Sequence, residues 1–165
     1  MTGATAQKPN IELRQMKEAD LEMLFGYQED DDAAHMAAFV NEKWKDKDAY
    51  LEKWKGILAR TTIETQTIIA NGKIAGSVFT YEMNGEPQIS YGTGKQFWGQ
   101  GITTAALQAF LKIYSKRPIW GRVAFDNAGS IRVLEKCGFQ KTGTDRYYSH
   151  SRKMEIAELV FRLDA

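Results

Sequence analysis

Ile89-Ser90-Tyr91-Gly92-Thr93-Gly94-Lys95-Gln96-Phe97-Trp98-Gly99-Gln100-Gly101 is the stretch on which the fold and chemistry of this chain turn. Its first seven residues read as a strand running into glycines, and the apolar periodicity of a helix starts at once at Ile102. A glycine-rich turn feeding a helix N-terminus gathers unpaired backbone N–H groups at one point, where the helix dipole also favours negative charge. The predicted occupant is a phosphate or pyrophosphate. A Walker loop would need Gly-Lys followed by Ser or Thr, whereas Gly94-Lys95 is followed by Gln96. A dinucleotide fingerprint would need a third glycine where Thr104 stands. The remaining alternative is a plain tight connection from strand to helix.

Upstream of this stretch, Thr65–Ala70 and Ile74–Met83 are β-branched and aromatic runs joined by Asn71-Gly72, a strong hairpin signal. Asn84-Gly85 repeats the device before Gln88–Thr93, so three antiparallel strands are expected. Residues 1–10, small and polar with Pro9, read as a flexible leader, and Ile11–Arg14 alternates as a first strand. Leu21, Leu24 and Phe25 follow helical spacing between Lys17 and Gln28. The acidic run Glu29–Asp32 interrupts that face, which resumes at Met36, Phe39 and Val40. Asp46 or Asp48 can cap a further helix carrying Leu51, Trp54, Ile57 and Leu58 on one side. Downstream, the spacing predicts a helix over 102–116 and a strand over Ile119–Phe125. A short helix through Ser130–Lys136 follows, closed by Gly138 in a left-handed cap, and then two strands near 140–148 and 153–163.

A chain of 165 residues with 43% hydrophobic and 26% charged content is the size of one compact domain, expected over 11–165. Its net charge of +1, with Lys and Arg alternating with acids, lacks the basic face that nucleic-acid binding requires. There is no 18-residue apolar run and no signal-peptide core, so no membrane partner is expected and the expected location is cytoplasmic. A single cysteine, Cys137, excludes an internal disulfide.

A second motif narrows the reading. Asp126-Asn127-Ala128-Gly129-Ser130-Ile131-Arg132-Val133-Leu134-Glu135-Lys136-Cys137-Gly138-Phe139 places an Asn, a Ser three later and a closing Gly-Phe around a short helix. With Gln96-x-x-Gly99-x-Gly101, this resembles the GNAT superfamily of acyl-CoA N-acyltransferases over essentially residues 11–163. The likeness is nearest to the branch that includes ribosomal-protein-alanine N-acetyltransferases, which often carries Trp-Gly-x-Gly as at Trp98–Gly101. The resemblance implies an α+β, three-layer fold. Its six- to seven-stranded sheet is mixed and mostly antiparallel, with about four helices and with fourth and fifth strands that splay apart.

It also implies acetyl-CoA as co-substrate, no metal, and a small-molecule or peptide N-terminal amine as acceptor. On that pattern the Gly92 and Thr93 backbone amides meet the pantetheine and acetyl carbonyl. Gln96, Phe97, Trp98, Gly99, Gln100, Gly101, Ile102 and Thr103 surround the pyrophosphate. Asn127 lies beside the pantetheine and Ser130 faces the sulfur, although an Asn ahead of a helix also serves simply as its N-cap. Two positions depart from the family. Leu134 occupies the place of the usual tyrosine acid, leaving Ser130, Tyr147, Tyr148 or water to protonate the thiolate. Gln88 replaces a frequent glutamate base, with Glu86, two residues earlier on the same strand face, as fallback.

Glu29–Asp32 can attract a cationic amine or be a solvated loop, and His35–Phe39 can wall the acceptor or join the core. Cys137 reads as a small buried hydrophobe, so direct transfer is expected in place of an acyl-cysteine intermediate. Trp44, Trp54, Trp98 and Trp120 read as packing, with Trp98 the tryptophan nearest ligand, while His150 carries no role. A catalytically silent acyl-CoA-binding module is the alternative function. A hydrolase is disfavoured because the chain lacks a Gly-x-Ser-x-Gly elbow. The chain is expected to be a monomer or a homodimer, the latter pairing through its last strands.

Overall fold

The computed structural model describes residues 9–165, so most of the expected leader lies outside the described residues. Within it, Asn10 is tied to the first hairpin by bonds to Asn71. Seven strands are present: β1 (Ile11–Gln15), β2 (Thr65–Ala70), β3 (Lys73–Met83), β4 (Glu86–Thr93), β5 (Ile119–Ala124), β6 (Gln140–Ser149) and β7 (Met154–Leu163). The α-helices are α1 (Leu21–Glu29), α2 (Asp31–Ala37), α3 (Lys47–Leu58), α4 (Ile102–Ile113) and α5 (Ala128–Lys136). Both Asn-Gly pairs have positive φ at each residue, 49° and 80° at Asn71-Gly72 and 54° and 76° at Asn84-Gly85. That is what a two-residue hairpin between right-twisted strands requires. Gly138 terminates α5 at φ 91° as expected.

Several boundaries differ from the sequence reading, by one or two residues at the ends of β3, β4, β5 and α5 and further in the helices. The acidic run breaks the first helix only at Asp30, whose ψ of 132° leaves the helix while its carboxylate caps Ala33 N–H at 2.9 Å. The resumed helix stops at Ala37, because Ala38 adopts φ 63°, and Phe39 and Val40 turn away from the helical face. The helix from Ile102 ends at Ile113, three residues early. The break at Asp30 makes five α-helices where about four were expected.

The strand order is β1-β2-β3-β4-β5-β7-β6, and among the described residues the sole parallel neighbours are β4 and β5. One face packs on α4 and α5 through Ile68, Val78, Ile89, Leu107, Phe110, Leu134 and Phe161. On the other, Leu21, Leu24 and Trp54 meet Phe79. β4 and β5 pair only at Gln88↔Trp120 and Ile89↔Gly121. Beyond these positions β4 follows β3 as far as Thr93↔Gly76, and β5 follows β7 as far as Ala124↔Glu158. The two halves of the sheet therefore part, and the expected splay is present. A register shift between Ile68 and Ile69 falls beside this region, where bulges add local twist. Gly76 lets the β4 backbone approach closely: a Cβ there would stand 2.0 Å from the Gly92 carbonyl oxygen.

Candidate functional site

The turn between β4 and α4 is built from local chemistry. Lys95–Phe97 forms one 3-10 turn, in which Phe97 and Trp98 N–H donate to Gly94 and Lys95 carbonyls. Gly99 and Gly101 then take φ 75° and 76°, left-handed values that suit glycine, and Gly101 is the N-cap of α4. Ala105 N–H is the first in α4 to bond back, to Gly101 O at 3.1 Å. Among the described residues, none of the N–H groups from Gly99 to Thr104 donates to a protein acceptor. Gln96 and Trp98 to Gly101 are exposed, Phe97 and Thr103 half-buried and Ile102 buried in the core. Trp98 Nε1 donates to Thr93 O at 3.1 Å, and the Thr93 and Thr103 hydroxyls lie 3.3 Å apart, so the turn is pinned to the end of β4. Gln100 Nε2 closes the loop on Gln96 O at 3.1 Å.

The turn sits at the mouth of the strand gap. Gly94 N–H donates to Ala75 O on β3, and alternation turns the Gly92 amide to β3 as well. The amides of Tyr91 and Thr93 face the gap instead, so of the two amides expected there only that of Thr93 is on that side. Across the gap, Asn127 caps α5: its Oδ1 accepts from Ser130 N–H at 3.2 Å and its Nδ2 donates to Met36 O at 3.2 Å. Ser130 Oγ shares a 2.8 Å hydrogen bond with the Tyr91 hydroxyl. Burial raises the Tyr91 phenol above its ordinary range, so it is a neutral donor at physiological pH. Sequence reasoning missed this tyrosine; its signal was alternation, which puts Tyr91 on the face of Ile89 and Thr93. Leu134 is 1% exposed and covers Gly121, where a Cβ would stand 2.8 Å from Leu134 Cδ2. It thus completes the core. Burial pushes the Cys137 thiol up to about 11, in keeping with an inert side chain.

On the opposite face of the sheet lies a cavity of about 350 Å³ whose walls include Phe39, Tyr81, Tyr147 and Tyr148. His150 also lines it, against the Tyr148 ring at 5.1 Å. Arg122, the first β5 residue past the last β4 pairing, donates to Asp145 at 2.8 Å and Glu158 at 3.1 Å. Burial pushes the Glu158 carboxyl up, the Arg122 guanidinium pulls it down and Asp145 pushes it up, with a net rise. Arg122 Nε and Gln88 Oε1 are buried without hydrogen-bond partners among the described residues.

Glu86 is exposed in the hairpin at the other end of β4 from the gap. Three of the four carboxylates in the acidic run are engaged elsewhere. Asp30 caps α2, Asp31 pairs with Lys45 at 2.8 Å, and Asp32 pairs with Lys95 beside the turn. Ser149 and Ser151 hydroxyls donate to Ala38 and Ala34 carbonyls at 2.6 and 2.7 Å, and Arg152 grips Asp126 and His35 O. These bonds hold Phe39 against the β6–β7 hairpin. No group of three or more His, Cys, Asp or Glu among the described residues is arranged to hold a metal, and no described helix is long and apolar enough to cross a membrane.

Residues 10–140 match a family described as the acetyltransferase (GNAT) domain. A relative from Bacillus licheniformis, named uncharacterized N-acetyltransferase p20, is 32% identical over 85 residues, or 48% of this chain; the match spans about half of that protein, 47% of its length. Among solved structures, a ribosomal-protein-alanine N-acetyltransferase from Brucella melitensis superposes with a TM-score of 0.77 at 20% identity, covering 93% of this chain and 99% of that one. A ribosomal-protein-S5-alanine acetyltransferase from Vibrio fischeri gives 0.75 at 15%, covering 93% and 92%. The microcin C7 self-immunity acetyltransferase MccE, solved with acetyl-CoA and AMP, gives 0.75 at 19%, covering 94% and 92%. At these identities the superpositions speak for the fold. The family match from the start of β1 into β6, on a sheet parted between β4 and β5, establishes that the chain belongs to the GNAT acetyltransferase family.

Proposed function

We propose that the protein moves an acetyl group from acetyl-CoA to a primary amine by direct attack within a ternary complex. The observation that carries this reading is the row of unpartnered amides at Gly99–Thr104 opening on a gap between two parted strands. Those amides and the α4 dipole suit a diphosphate. The gap suits an extended arm, and the thioester supplies the activated acetyl carbon. The Thr93 amide meets the acetyl carbonyl as a donor aimed at developing negative charge. Ser130, held by the Asn127 cap and backed by the Tyr91 hydroxyl, donates to the departing thiolate. This pair occupies the role for which Leu134 has no hydroxyl.

Buried Leu134 and the Gln88 amide are what favour the second reading, a silent acyl-CoA-binding module. Titration with coenzyme A, followed by an amine panel with acetyl-CoA monitored for free thiol, tests both. Saturable binding with amine-dependent thiol release is expected. Binding without thiol release from any amine would favour the silent module, and failure to bind coenzyme A would refute both readings.

A further inference from the structure

We propose that the cavity walled by Phe39, Tyr81, Tyr147 and Tyr148 receives the acceptor as a primary ammonium on an apolar body, and that Glu158 on its wall takes the ammonium proton. The proposal rests on the acetyl-CoA reading above and assigns the acceptor half of the same site.

Position comes first. Arg122 is the first β5 residue past the last β4 pairing, and Glu158, on β7 opposite Ala124, is bonded to it at 3.1 Å on the sheet face opposite the α5 face that carries Ser130. A thioester in the gap is therefore flanked by Ser130 on one side and by this cavity on the other. Charge comes second. The cluster sets two carboxylates, Asp145 and Glu158, against one guanidinium, and aromatic rings surround it. An excess carboxylate beside aromatic faces favours a cation carried on an apolar group. Third, Glu158 is 7% exposed and its bonding partner is Arg122, whereas Glu86 is exposed and Asp30, Asp31 and Asp32 are engaged elsewhere. Fourth, Gln88 Oε1 and Arg122 Nε, an acceptor and a donor on the same sheet face, are buried without partners among the described residues, so a polar group entering there would find both unengaged.

The titratable and charged groups facing Glu158 are Arg122 from β5, Asp145 from β6 and Tyr81 from β3, with Tyr147, Tyr148 and His150 around the cavity. Burial and Asp145 keep the carboxylate basic enough to accept a proton, while Arg122 orients it. The ammonium gives one proton to Glu158. Its neutral nitrogen forms the C–N bond to the acetyl carbon as the C–S bond breaks, the thiolate takes its proton from the Ser130–Tyr91 pair, and the second nitrogen proton is lost to water, from which that pair is reprotonated. The products are an amide and free thiol, and Glu158 returns its proton to water.

The test measures thiol release from acetyl-CoA with alkyl and arylalkyl amines, for wild type, Glu158→Gln and Asp145→Asn, over a pH range from about 5 to 9. Coenzyme A titration and thermal melts accompany each variant. Glu158→Gln should lower kcat by at least about 100-fold, the low end for loss of a general base, with coenzyme A affinity unchanged. Asp145→Asn should move the acidic limb of the profile to lower pH, because losing a neighbouring negative charge eases ionisation of Glu158. A Glu158→Gln enzyme with wild-type rate and profile overturns the proposal and leaves the transferase reading standing. Should Glu158→Gln fail to fold, an unmoved limb in Asp145→Asn overturns it instead. A wild-type protein that binds coenzyme A and acetylates no amine refutes the transferase reading itself, and the Glu158 role with it.

Discussion

Replacing Gly99 by Asp puts a carboxylate where the diphosphate is expected, and replacing it by Asn puts the same shape there without charge. Nothing lies within 4 Å of a Cβ built at Gly99, so neither substitution clashes. The φ of 75° costs both variants about 1 kcal/mol of folding stability, a strain that Asn and Asp tolerate best after glycine. The difference between them is electrostatic. Two unit charges about 5 Å apart interact by about 3 kcal/mol at an effective dielectric constant near 20 and by about 1 kcal/mol in bulk water. The turn is exposed, so the repulsion falls between these limits. Coenzyme A should accordingly bind Gly99→Asp about 5- to 150-fold more weakly than Gly99→Asn in calorimetric titrations at low salt. The gap should narrow near 1 M salt, where the screening length is about 3 Å. Equal affinities at low salt, with equal melting temperatures, would refute the placement of the diphosphate at this turn.

Tyr91→Phe removes the hydroxyl bonded to Ser130 and should slow thiol release while leaving coenzyme A affinity intact, at a stability cost of about 1 kcal/mol. An unchanged rate would remove Tyr91 from the proton route. Gly76→Ala drives a Cβ to within 2.0 Å of Gly92 O and 2.8 Å of Thr93 Cα, both backbone atoms that yield only if β4 moves. A loss of at least about 3 kcal/mol is expected from denaturant midpoints, beyond ordinary overpacking. Asp20, bonded to Arg14, Lys17 and Thr67, tests the fold. Burial opposes its ionisation, yet the Arg14 guanidinium, the Lys17 N–H and the Thr67 hydroxyl outweigh that and hold its carboxyl at about 2, below the usual 3.8. A depressed folded-state value stabilises above the unfolded one, so a contribution of about 2 kcal/mol is present in full above about pH 4 and is lost as pH falls through about 2. Asp20→Asn should cost at least this much at pH 7 and flatten that acid limb in unfolding titrations.

What could be read from the sequence was what a few adjacent residues settle among themselves. The Asn-Gly hairpins, the glycine turn before Ile102, the Asn127 cap and the Gly138 stop depend on backbone dihedrals and hydrogen bonds spanning only a handful of residues, and all appear at the expected positions. The family motifs share that local character. Helix ends were less legible, because the stop at Ala38 is stabilised by Ser149 and Ser151, more than a hundred residues away.

Only the tertiary structure decided which side chains share the site. Tyr91 reaches Ser130 across 39 residues, and Arg122, Asp145 and Glu158 come from three strands whose register places them on one face. Of the acidic run that offered an amine lure, Asp30 caps a helix and Asp31 and Asp32 pair with lysines. Register, burial and partnering are collective properties of the packed sheet, in which a one-residue slip would reverse every side chain. For that reason the glycine turn could be recognised in thirteen consecutive letters, while the cavity on the opposite sheet face took shape only when the strands were laid side by side.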